Sequence, residues 1–142
     1  MTDEAPTMWT GEVSAGSFGP LGIGMQRDAM RDLFRGRIRS VSVWRRPDLE
    51  RDHFLESGVL VTFDSNDAST FVELATPSRP SVMGTSLLER PIDDVIADLA
   101  EKGRQVACTE PGVCYVISRS DVGLYTEDGL VKAVSFGDSE QA

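Results

Sequence analysis

Apolar and polar positions alternate most regularly over residues 122–136, Val-Gly-Leu-Tyr-Thr-Glu-Asp-Gly-Leu-Val-Lys-Ala-Val-Ser-Phe. Two β-rich runs flank Asp128-Gly129, and that dipeptide suits a type I′ turn, whose central residues both need φ > 0. The spacing predicts a hairpin. In its second arm Leu130, Lys132, Val134 and Phe136 would face one way and Val131, Ala133 and Ser135 the other.

A helical period takes over at two places. Ile92, Val95, Ile96 and Leu99 fall at i, i+3, i+4 and i+7, behind Pro91 at a helix start and ahead of Gly103 at its stop. Acids early in this helix and Lys102 at its end suit the helix dipole. Residues 26–35 predict a second helix, stopped by Gly36. Met25, Ala29, Met30, Leu33 and Phe34 form its stripe, and Arg27, Asp28, Arg31, Asp32 and Arg35 face water.

The remaining runs predict strands over 37–46 (ended by Pro47), 59–64, 69–75, 104–108 and 113–118. Residues 9–18 form a weak edge strand or arm. Residues 18–25 are a glycine-rich loop, 48–56 a polar loop or helical turn, 76–80 a connector, and 81–88 a short strand and loop. Residues 1–8 and 138–142 are expected to be flexible.

The two halves echo one another. Leu21, Ala29, Met30 and Leu33 fall 66 positions before Leu87, Val95, Ile96 and Leu99. Val61-Thr62-Phe63-Asp64 matches Leu124-Tyr125-Thr126-Glu127 at an offset of 63. The expectation is one α+β domain over 1–142: a curved antiparallel sheet with two helices on one face, from pseudo-repeats at about 18–76 and 81–137.

Gly22-Ile-Gly-Met25 running into a helix, followed by strands, resembles the helix-plus-strand unit of BamE/SmpA lipoproteins. The tandem arrangement is similar to the β-lactamase inhibitor protein group. The chain departs from that pattern in lacking a lipid-attachment cysteine near the start, in Gln26 at the helix cap, and in Leu87-Leu88-Glu89-Arg90 before the second helix. The resemblance implies a non-enzymatic binding scaffold, such as an inhibitor or immunity-type protein, and supplies no partner.

Composition narrows the picture. The 142 residues fit one domain, and a net charge of −9 works against nucleic acid and anionic membranes and favours a basic partner. No apolar run approaches the ~20 residues of a membrane span, and the acidic start carries no signal segment, so a cytoplasmic location is expected. Cys108 and Cys114 are read as reduced thiols at the ends of a hairpin loop, with a cross-strand disulfide or redox pair as the alternative. His53 is the only histidine; beside Asp52, Glu50 and Glu56 it reads as a solvated loop residue with no nucleophile to serve. Asp64-Ser-Asn-Asp67 lacks the glycine of a calcium loop and reads as a polar turn. The expectations are no metal, no cofactor and no catalytic motif.

Charge is unevenly spread. Eight arginines lie between Arg27 and Arg51 against four acids, on an otherwise acidic chain. Arg35, Arg37, Arg39 and Arg45 near Trp44 suit bidentate contacts with carboxylate or phosphate, and the alternative function is an anion- or small-molecule-binding regulatory domain. As a solvated face, the same arginines would only pair with nearby acids. The candidate binding residues are therefore Arg35, Arg37, Arg39, Trp44, Arg45, Tyr115 and Tyr125, for a protein partner on the sheet. A second copy on an open sheet edge would make a homodimer.

Overall fold

The computed structural model describes residues 9–14, 16–34, 38–42 and 48–138. The expectations for residues 1–8, 35–37, 43–47 and 139–142 lie outside them. In chain order the elements are β1 (Thr10–Ser14), β2 (Ser17–Phe18), β3 (Leu21–Gly22), α1 (Arg27–Leu33), β4 (Arg39–Ser42), β5 (Glu50–Phe54), β6 (Val59–Phe63) and β7 (Ser69–Leu74). There follow β8 (Arg79–Val82), β9 (Thr85–Ser86), α2 (Ile92–Glu101), β10 (Val106–Glu110), β11 (Cys114–Ile117), β12 (Gly123–Glu127) and β13 (Leu130–Gly137).

The strands form two sheets. Eight run β10-β11-β12-β13-β7-β6-β5-β4, antiparallel throughout, and five run β3-β2-β1-β8-β9. The expected α+β class, with two helices on one face of a curved sheet, is overturned: about half of the described residues are strand and about a sixth are helix. The weak edge strand or arm expected over 9–18 holds a strand at Thr10–Ser14, and the difference lies in the loop and connector segments 18–25 and 76–80 that add strands beside it. Residues 10–12 pair parallel with 79–81, and the short β2–β3 and β8–β9 hairpins flank them, so the chain before each helix is sheet.

Backbone hydrogen bonds around the two helices match. Arg27 N donates to Asp67 O at 2.9 Å, and Ile92 N to Gly129 O at 2.9 Å. Gly24 N reaches Ser69 O at 2.7 Å as Glu89 N reaches Val131 O at 2.8 Å, and Ser69 N and Val131 N donate back to Met25 O and Arg90 O, both at 2.9 Å. These carbonyl partners satisfy a free helix-start N–H in each case, and neither Gln26 nor Pro91 makes a side-chain cap. A β-bulge interrupts β6–β7 at Thr62/Phe63 and β12–β13 at Tyr125/Thr126. Four-stranded meanders thus follow both helices, and they join where β7 pairs with β13. In this correspondence Arg27 matches Ile92 and Met30 matches Val95, one residue away from the spacing read in the sequence.

One core serves the molecule. Val59, Val61, Phe63, Val72, Leu74, Leu124, Val134 and Phe136 of the large sheet share it with Met30, Phe34, Ile92, Val95 and Leu99, and with Trp9, Val13, Phe18 and Leu21 from the first segment. Phe34 stacks between Trp9 and Phe54, with ring centroids 4.8 and 3.8 Å away.

Local expectations meet mixed outcomes. The 122–136 hairpin forms, with φ of +54° at Asp128 and +79° at Gly129. Its second arm does not alternate as expected: the bulge at Lys132 puts Val131 in the core with Val134 and Phe136. The cleaner helix forms, ending at Glu101 before Gly103. The stripe of α1 is rotated from the expected one, because Arg27 is buried while Ala29 is exposed. Residues 50–54, read as loop or helical turn, are a strand, and His53 is half-buried in it rather than in a solvated loop. The Asp64 turn forms as a polar turn, its carboxylate accepting from Asn66 N and Ala68 N.

Candidate functional site

Two arginines of the arginine-rich segment, Arg27 and Arg31, are engaged inside the molecule. The Asp52 side chain, on β5, is fully buried. Arg27 reaches its carboxylate with Nη2 at 2.7 Å and Nε at 3.1 Å, and Arg31 does so with Nε at 2.8 Å and Nη2 at 3.0 Å. Ser40 donates a further bond at 2.8 Å. Burial alone would raise the Asp52 carboxyl, but the hydrogen bonds from Arg31, Arg27 and Ser40 outweigh it and hold the group well below the usual carboxylate range. Arg27 also pairs with Glu50 at 2.8 Å and lies over the Phe63 ring. Arg27 and Arg31 are therefore committed to a buried network.

The opposite face of the eight-stranded sheet is different. Strand register puts Arg39, His53, Leu60, Glu73, Ser135, Gly123, Val116 and Ala107 in one cross-strand row, one residue from each strand. Core-facing Val61, Val72, Val134 and Leu124 alternate with them, which fixes this row on the far side. Within that face lies a groove of about 760 Å³ lined chiefly by Phe71, Glu73, Cys114, Val116, Tyr125 and Ala133.

Glu73 stands where β7 meets β13, between Leu60 and Ser135. Burial raises its carboxyl, and the charge of Arg51 only partly opposes this. Arg51 carries a buried Nε without a hydrogen-bond partner. His53 is held down by burial and by Arg39. Cys114 is raised by burial, then by Glu110 and Cys108, and both cysteines are free. Lys132, the other charged residue lining the groove, is tied to Glu89 at 2.7 Å. A second cleft, of about 630 Å³, lies near Glu12, Ile23, Met83, Arg104 and Arg119. There Glu12 bonds Ser81 and Gly84 N, and Asp121 bonds Gly137 N.

Among the described candidate residues, the two tyrosines border the groove and Arg39 stands apart. Tyr125 is 45% exposed and lines the groove, paired with Cys114. Tyr115 borders the same groove while also packing against the core, opposite Leu124. Arg39 is exposed on β4, at the far edge of the sheet from β12. Arg35, Arg37, Trp44 and Arg45 lie outside the described residues. Sequence reasoning missed Glu73, although a lone acid inside Thr-Phe-Val-Glu-Leu was a legible signal.

Among the described residues no group of histidine, cysteine and acidic side chains is placed to hold a metal, and no helix is long and apolar enough to cross a membrane. No family model, curated protein or solved structure matches the chain.

Proposed function

We propose that the protein is a non-enzymatic binding scaffold that holds a protein partner on the open face of its eight-stranded sheet. The observation that carries this reading is the groove itself, apolar in most of its lining and bordered by the exposed ring of Tyr125. The resemblance of the sequence to tandem-unit inhibitor proteins points the same way, towards an inhibitor or immunity-type role. The net charge of −9 favours a basic partner over nucleic acid or an anionic membrane. A cytoplasmic setting goes with it, supported by two free cysteines. The alternative, an anion-binding arginine cluster, is less favoured because Arg27 and Arg31 already hold Asp52.

The test is capture from a lysate of the source organism on immobilised wild-type protein and on a Tyr125→Asp variant of matched thermal stability, at low and moderate salt. A single protein retained in stoichiometric amount by the wild type, weakened by salt and lost with Tyr125→Asp, is the expected result. Equal capture by both proteins, or no capture by either, would overturn the reading.

A further inference from the structure

The groove holds one carboxylate, Glu73, to which no cation among the described residues is bonded. Its charged lining residues are Glu73 and Lys132, and Lys132 is paired outwards with Glu89. On β5, Arg51 and His53 share the face, and Arg51 acts on Glu73 through its charge without a hydrogen bond. On β6 the neighbours are Leu60 and Thr62, and on β13 the paired residue is Ser135. Beyond them come Cys114 and Tyr125, and Glu110 adds negative charge beside Cys114. A half-buried carboxylate in such a setting gains most from a cation brought to it, and the exposed Tyr125 ring offers apolar and cation–π contact to that cation's side chain.

Resting on the reading of this face as the partner surface, we infer that the groove receives a basic side chain of the partner protein, its charge set against Glu73 and its stem lying towards the exposed ring of Tyr125. The charge of the chain as a whole steers in the same direction. A polypeptide is favoured over a free organic cation because the groove lies open on a broad sheet face, where flanking residues of a partner can rest.

The probe is N-acetyl-arginine methylamide, with the citrulline analogue as a neutral control of the same shape, titrated into the ¹⁵N-labelled protein. The expected shifts map to residues 71–73, 114–116 and 123–125. Affinity rises with pH through the Glu73 titration, followed in the same sample, because only the ionised carboxylate attracts the probe. Glu73→Gln, with its fold confirmed by thermal melting, lowers affinity about tenfold and abolishes the pH response. Equal binding of the citrulline analogue, unchanged binding by Glu73→Gln, or shifts elsewhere would overturn the inference. Choline binding more tightly than the arginine probe would overturn the choice of a partner side chain. If Tyr125→Asp abolishes capture while the probe ignores Glu73→Gln, the inference falls and the binding face stands. If the probe responds but capture does not depend on Tyr125, the partner surface falls instead.

Discussion

The two helix-and-meander units place different chemistry in the same frame. Where α2 turns Ile92 and Ile96 inwards, α1 turns Arg27 and Arg31. Where β11 sets Tyr115 opposite Leu124, β5 sets Asp52 opposite Val61. The second unit is closed by apolar packing, which adapts to small changes in shape. The first is closed by a buried ion cluster, which holds only when every partner is present. One backbone pattern thus tolerates two kinds of interior, and the polar kind makes the first unit the more conditional of the two.

The comparison breaks hardest at Asp52. Asp52→Ala takes from Arg27 and Arg31 the buried carboxylate they share and is expected to cost about 3–5 kcal/mol in urea unfolding, as for other broken buried pairs. A loss below about 1 kcal/mol would mean the cluster behaves like a surface pair. Acid exposes the same difference with a smaller effect. The folded Asp52 carboxyl sits below its unfolded value, so its stabilisation is complete above an unfolded pKa of about 4 and drains away as pH falls from there towards the folded value. Wild-type protein should lose stability over that range more steeply than Asp52→Asn, read as melting temperature against pH. Glu73 has the opposite sign: its raised carboxyl makes stability fall as pH rises from its unfolded to its folded value, and Glu73→Gln should flatten that slope. The smallest change is expected from copying the second interior into the first. Arg27→Ile, Arg31→Ile and Asp52→Tyr together should leave stability within about 2 kcal/mol of wild type, since apolar replacement of a complete buried ion cluster is often neutral or better. A much larger loss would show that the first unit's backbone accepts only the ionic interior.

How far these units could be read from the sequence depended on the distance between partners. α2 and the hairpin at Asp128-Gly129 carry their own signals, a helical stripe in one case and a turn dipeptide in the other, so both were legible. The rotation of α1 was not, because Arg27 reads as polar until Asp52, 25 residues further on, is known to lie beside it. The strand nature of residues 50–54 was hidden by the same fact: Glu-Arg-Asp-His looks solvated, yet its buried acid is neutralised from the helix. Strand character in the small sheet was partly legible, as the weak edge strand or arm over 9–18, but its pairing was not, because Thr10 pairs with Arg79 and no local pattern announces a parallel partner so remote. Of the candidate site, Tyr125 was found by type and Glu73 missed, since its meaning comes from standing where the two meanders join.

The parallel pairing of β1 with β8 also bears on how the chain is made. At the ribosome, β1 emerges long before its parallel partner Arg79–Ser81 has left the tunnel, so that edge of it stays unpaired meanwhile. β7 waits a comparable length of chain for β13. Both seams close late and over long loops, a topology that slows folding and leaves backbone edges bare in nascent protein. A chain halted after the first unit would therefore present two sticky borders at once, and its cellular fate would turn on chaperones rather than on its own core.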